Sequence, residues 1–185
     1  MELLNRASRL TRLLLLAAAA HLAVAQAQTV DEYQVKAAFL YNFAKFVEWP
    51  PGSFKSPTDP IVVCVLGRNP FGEALDQAVE GKQIEGRKLV IREAPDLREC
   101  LACQLLFIAA SERKRLPAIF GFLKAGSVLT VGETANFAAA GGIINFKLDD
   151  GKVSLEINVG AAQRARLRIS SKLLSLAKIV KDDQP

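Results

Sequence analysis

The chain has 185 residues, half of them apolar and 23% charged, with a formal charge of +5 at neutral pH. That apolar content excludes a disordered chain, and basicity this mild is not a nucleic-acid footprint. The only histidine, His21, falls in a stretch expected to be removed, so a Ser-His-Asp triad, a His-ligated zinc and a histidine general base are excluded from the mature protein.

The first element is an export signal. Arg6, Arg9 and Arg12 precede the almost unbroken apolar run Leu13 to Ala25, and Ala23-Val24-Ala25 and Ala25-Gln26-Ala27 each offer a small-x-small cleavage site. The run is shorter than the roughly 20 residues a membrane span needs, and no cysteine follows it to carry a lipid. Residues 1–27 are therefore expected to be a signal peptide, with residues 28–185 delivered to the bacterial periplasm as one domain. Cleavage takes Glu2 and the three arginines, lowering the formal charge from +5 to +3.

Glu32 to Pro51 follows, and six of the thirteen aromatic residues fall between Tyr33 and Trp49, which marks this segment as a core builder. Val35, Phe39, Phe43 and Phe46 lie on one helical face. Tyr33, Ala37, Tyr41 and Ala44 form a second stripe, leaving Glu32, Lys36, Asn42, Lys45 and Glu48 for water. Thr29 and Glu32 have capping-box spacing, and Pro50-Pro51 stops the helix. The pattern fits a core helix, or one that keeps a stripe for a partner chain. Tyr41 and Trp49 are the partner-facing candidates, because an aromatic body with a polar handle suits an interface.

Beyond a loop from Pro50 to Pro60 the elements alternate. Ile61 to Leu66 is a strand ending at Gly67, Asn69-Pro70 starts a helix to Glu80, and Lys88 to Arg92 and Leu105 to Ala109 are strands. Ser111 caps a helix through Lys124, Val128 to Val131 is a strand, and Thr134 to Ala139 is a helical turn. Ile143 to Leu148 and Val153 to Val159 flank Asp149-Asp150-Gly151, a hairpin signal. Ala161 to Val180 is a last helical region with a break at Ile169-Ser170-Ser171. The order predicts an α/β single-domain sandwich: a mixed, mostly parallel sheet flanked by helices, with a C-terminal β-hairpin and helix.

Cys64, Cys100 and Cys103 remain after cleavage, and in an oxidising compartment two of the three are expected to pair. Cys100 and Cys103 form C-x-x-C, but a thioredoxin-type dithiol sits where a strand opens into a helix, and here the motif precedes a strand. Cys64 lies within one apolar run and Cys103 begins another. If those strands are neighbours, the sulfurs can meet where the Cβ atoms lie about 3.5–4.5 Å apart.

Other chemical signals give way to structural ones. Gly67-Arg68-Asn69-Pro70-Phe71-Gly72 lacks both G-x-G-x-x-G and a Walker lysine-serine pair, so it reads as a turn. Gly141-Gly142 suits a close backbone approach, and Asp149 and Asp150 are hairpin-tip carboxylates. Ser111, Ser127, Ser154 and Ser170 have no nearby base. No catalytic residue, cofactor site or metal site is assigned. Arg164, Arg166, Arg168, Lys172, Lys178 and Lys181 crowd the C-terminal region with little acid before Asp182. They form a solvated helix face or an electrostatic docking surface for an acidic partner or an anionic ligand, with Arg164, Arg166 and Arg168 as the partner-binding candidates.

EYQVKAAFLYNFAKFVEWP, IVVCVLGRNPFGEAL, CQLLFIAASE, LTVGETANFAAAGGIINF and SLEINVGAAQRARLRISSKLLSLAKIV resemble, in that order, the signatures of the YfiR family of periplasmic proteins. The resemblance covers essentially the whole mature chain and implies a single α/β domain without enzymatic activity. It implies a repressor that binds the periplasmic domain of an inner-membrane GGDEF diguanylate cyclase (YfiN-like), lowering cyclic di-GMP and biofilm formation. It further implies sequestration by an OmpA/Pal-like outer-membrane lipoprotein (YfiB-like) and a tendency to homodimerise. Cys64 and Cys103 sit where the family carries one disulfide; the family's second bridge has no cysteines here, and Cys100 is an addition. The alternative reading is a periplasmic small-ligand-binding or sensing module, with a pocket beside the aromatic helix and no cyclase partner.

Overall fold

The computed structural model describes residues 32–182, so the expected signal peptide at 1–27 and the Thr29 cap lie outside the described residues. Residues 32–46 form α1, followed by β1 (Val47–Glu48), β2 (Ile61–Leu66), α2 (Ala74–Val79), β3 (Gln83–Ile84) and β4 (Arg87–Ala94). Then come α3 (Leu97–Cys100), β5 (Leu105–Ile108), a 3₁₀ segment (Ala110–Arg115) running into α4 (Leu116–Leu123), and β6 (Leu129–Gly132). The chain closes with β7 (Ile144–Asp149), β8 (Lys152–Asn158), α5 (Val159–Arg164), β9 (Arg168–Ile169), α6 (Ser171–Leu174) and β10 (Lys178–Val180).

Eight strands form one sheet in the order β10-β8-β7-β6-β5-β2-β4-β3, and only β3–β4 and β7–β8 pair antiparallel. The molecule is thus a single-domain α/β sandwich built on a mixed, mostly parallel sheet. β2 is buried at every position, as a strand covered on both faces must be. Its alternate side chains divide the core. Ile61, Val63 and Val65 join Leu105 and Phe107 of β5 beneath α1 and α2, whereas Val62, Cys64 and Leu66 join Leu106 and Ile108 beneath α3 and α4.

α1 buries Lys36, Ala37, Leu40, Phe43, Ala44 and, just past its end, Val47. This corrects the expected faces: Val35 is exposed, Phe39 and Phe46 are half-buried flank residues, and Lys36 points inward rather than to water. Phe43 is fully buried and packs between Phe39 and Phe146, with ring centroids 5.9 and 5.6 Å away. α1 also ends before the Pro50-Pro51 stop. Val47 and Glu48 leave the helix to pair antiparallel with Ile169 and Arg168, and the Ser170 N–H donates to the Phe46 carbonyl at 2.9 Å.

That same pairing dismantles the helix expected over Ala161 to Val180. α5 stops at Arg164. The Arg166 N–H then donates to the Gln163 carbonyl and the Leu167 N–H to the Ala162 carbonyl, both at 2.9 Å, with Arg166 in the left-handed region at φ +60°. β9 pairs with β1, Ser170 Oγ caps α6 by accepting from the Leu173 N–H, and β10 joins the sheet edge parallel to β8. The break expected at Ile169-Ser170-Ser171 is this cap. The hairpin turn is as the Asp-Gly pair demands: Asp149 faces Lys152, and Asp150 and Gly151 both have positive φ, 49° and 74°. Besides β1, β9 and β10, two further short elements are absent from the expectations, β3 and α3. β3 hairpins onto β4 through Glu85 and Gly86 at φ 51° and 79°, and α3 is capped by Asp96, whose carboxylate accepts from the Arg98 and Glu99 N–H groups.

Candidate functional site

Turn chemistry accounts for the glycine-rich motifs. The Asn69 side chain accepts from the Phe71 N–H at 2.9 Å and Ser111 Oγ from the Arg68 N–H at 3.0 Å, which shape Gly67 to Gly72 as a bend at the end of β2. A Cβ at Gly132 or Gly142 would clash with the Phe137 ring, so both glycines let that fully buried ring approach the backbone.

The aromatic candidates are held by the fold itself. Trp49 is half-buried, donates from Nε1 to the Gln104 carbonyl at 3.1 Å, and meets Phe54 edge-on at 6.4 Å. Phe54 in turn lies under the Arg87 guanidinium, 3.9 Å from the ring centroid. Tyr41 is half-buried and carries the Lys82 ammonium 4.8 Å above its ring.

The three arginines do not share one helical face, because only Arg164 is helical. Arg164 pairs with Asp182 at 2.6 Å, and Arg168, on β9, contacts Glu48 across the ribbon at 3.6 Å with 84% of its side chain exposed. Arg166, turned by its positive φ, lines a cleft of about 310 Å³ with Pro50, Ser53, Cys103, Gln104 and Ser127. The β1–β9 ribbon therefore brings Arg166 and Arg168 beside the loop that follows Trp49, while Tyr41 stands apart with Lys82.

Two features escaped sequence reasoning. The first is a buried ionic group at the start of α1. The Lys36 ammonium binds Glu133, just past β6, at 2.7 Å, and also reaches Glu32 one helical turn away. The Tyr33 hydroxyl donates to Glu133 at 3.2 Å, and Lys36 lies 4.6 Å from the Tyr33 ring centroid. Burial raises the Tyr33 phenol well above its ordinary range, and the Glu133 carboxylate adds to the rise. Such a group fixes the register of α1 on the sheet, because a buried lysine stripped of its carboxylates is strongly unfavourable. An inward lysine amid a helix's apolar face is the signal that marked it.

The second is apolar exposure at the antiparallel end of the sheet: Leu148 is 54% exposed, Leu176 65% and Ile179 50%. Ile179 stands opposite Ile157, and Leu148 opposite Val153, on the α1 side of the sheet. Val153 and Ile157 are four residues apart on β8, with β7 on one side of it and β10 on the other, so Leu148 and Ile179 are separate exposed positions. Among the described residues no helix is long and apolar enough to cross a membrane, and no group of three or more His, Cys, Asp or Glu side chains could hold a metal ion.

A family model described as YfiR/HmsC-like matches residues 33–178 of the chain. No curated protein matches it. Among solved structures, a conserved domain protein from Vibrio cholerae is similar at 13% identity and TM-score 0.48, covering 66% of this chain and 55% of that one. The ABC domain in complex with L-Trp from Streptococcus pneumonia is 10% identical with TM-score 0.47, covering 64% and 55%. A ligand-free, open substrate binding protein with adhesive properties from Clostridium difficile is 9% identical with TM-score 0.47, covering 70% and 56%. The chain thus spans little more than half the length of these structures.

Proposed function

This chain belongs to the YfiR/HmsC-like family, and from that membership we propose that it represses an inner-membrane diguanylate cyclase by binding the cyclase's periplasmic domain. Membership implies a periplasmic regulator of diguanylate cyclase signalling; the repressor role, the partner and the export signal at 1–27 are our reading. The observation that carries it is the match over residues 33–178, which spans almost all of the described domain.

The protein acts by contact and not by catalysis. It binds one conformation of the receptor better than the other, and a preference of about 3 kcal/mol shifts that equilibrium roughly a hundredfold. The exposed side chains of Leu148, Leu176 and Ile179 offer apolar area for such a contact, and the solvent-facing Arg166 and Arg168 supply charge that speeds encounter. An OmpA/Pal-like outer-membrane lipoprotein competes for the protein and frees the cyclase, and a homodimer is the working unit.

Deleting the gene tests this. Intracellular cyclic di-GMP and surface attachment are expected to rise, and the rise to vanish when the cognate cyclase is deleted as well. Unchanged cyclic di-GMP in the single deletion, under conditions that express the protein, would reject the repressor and favour a small-ligand-sensing module.

A further inference from the structure

The apolar cluster beneath α4 holds all three mature cysteines. Cys64 in β2 and Cys103 ahead of β5 are joined, with Cα atoms 6.0 Å apart, and Cys100 keeps a free thiol with no exposed surface. Cys100 and Cys103 are also the two ends of one turn, because the Cys103 N–H donates to the Cys100 carbonyl at 3.3 Å. A turn of that kind keeps its end Cα atoms within about 7 Å, and disulfides span about 4.4–6.8 Å. Cys103 therefore stands between two sulfur partners, each within bridging reach of the folded backbone.

What holds Cys100 back is local. Its thiol points at the Asp96 carbonyl, 3.4 Å away. Burial, with Asp96 and Glu99 nearby, pushes the thiol up to about 11 against the opposing pull of Arg115. α3, which carries Cys100, is a four-residue helix whose N-terminus rests on the Asp96 cap. An element that small opens at lower cost than the sheet beneath it.

We propose that Cys100 is an internal nucleophile that isomerises the bridge when α3 lifts. The Cys100 thiolate attacks Cys103 Sγ, the Cys100–Cys103 bond forms as the Cys64–Cys103 bond breaks, and the proton lost by Cys100 is regained at Cys64. One disulfide and one thiol remain, so neither oxidant nor reductant is consumed. A crosslink that spans 39 positions gives way to one closed within a single turn. Cys103, in the cleft wall beside Ser53 and Arg166, thereby loses its covalent tie to the centre of the sheet, while Gln104 stays hydrogen-bonded to Val62.

Thiol mapping tests the exchange. The full chain, expressed in the periplasm and purified without added thiol, is held between about pH 7 and pH 9, quenched in acid, alkylated with N-ethylmaleimide and digested. Label is expected to move from Cys100 to Cys64 while a Cys100–Cys103 peptide appears, first-order and independent of protein concentration. The rate should climb by up to about tenfold per pH unit, because the thiolate is the attacking species. Asp96→Ala should accelerate the exchange by loosening α3, and Cys100→Ala should abolish Cys64 labelling. Label confined to Cys100 in both wild type and Asp96→Ala, or equal Cys64 labelling in Cys100→Ala, would overturn the proposal.

Discussion

Beneath α1, Phe43 is enclosed by Phe39 and Phe146 and the Lys36 ammonium by Glu32 and Glu133, whereas beneath α4 the cover is smaller and β2 is tied covalently to the start of β5. The larger cluster draws on α1, α2 and the C-terminal segment; the smaller one has α3, α4 and the buried ring of Phe137. A face with ample apolar area is held by burial, which acts on the native state. A face with less is held by a crosslink, which acts mainly by restricting the unfolded chain. The two should therefore answer differently to redox conditions, pH and truncation.

The largest effect belongs to the α1 face. Phe43→Ala should cost about 3–5 kcal/mol in urea-unfolding free energy, by transfer and cavity terms together, and the loss should be the same with or without reductant. A loss under about 1 kcal/mol would mean that this ring is not the anchor its enclosure implies. Next is the bridge. Cys64→Ser should cost about 3–4 kcal/mol under oxidising conditions, the value for closing a loop of this size, and almost nothing relative to wild type once both are reduced. Equal losses in the two conditions would make Cys64 a packing residue first.

A smaller effect appears only in alkali. The folded Tyr33 phenol holds its proton above the ordinary tyrosine range, chiefly through burial and then through Glu133. Its contribution is complete below the unfolded value of about 10 and is lost as pH rises beyond it. Tyr33→Phe should flatten that alkaline decline in a pH series of unfolding midpoints; an unchanged slope would remove Tyr33 as its source. The smallest effect lies at the rim. Arg168→Ala breaks only an exposed 3.6 Å contact with Glu48, so stability should change by less than about 0.5 kcal/mol. Reversing charge at Arg164, Arg166 and Arg168 together should instead slow association with the solubilised cyclase at low salt. Normal association kinetics in that variant would remove these arginines as the steering charge.

Much of this contrast was legible along the chain, and its failures are instructive. The hairpin was legible because Asp150 and Gly151 state their backbone geometry directly. The strands at Ile61 and Leu105 were legible because runs buried on both faces carry no polar residue. Lys36 was misread because a helical wheel assigns a lysine to water, and its carboxylate Glu133 lies 97 positions away. Arg164, Arg166 and Arg168 looked like one basic helix face, yet Arg166 turns left-handed and Arg168 enters a strand, so no helix face carries all three.

The amino-acid sequence by itself determined the α/β class, the central strands, the hairpin and the family resemblance, since each rests on period, turn chemistry or residues close in sequence. Tertiary structure alone decided where α1 ends, why the C-terminal segment breaks into short helices and strands, and which carboxylates receive Lys36. The reason is common to all three. Val47 and Glu48 meet Ile169 and Arg168 across about a hundred and twenty positions, and backbone groups that find such partners no longer need the helix that local propensity favours.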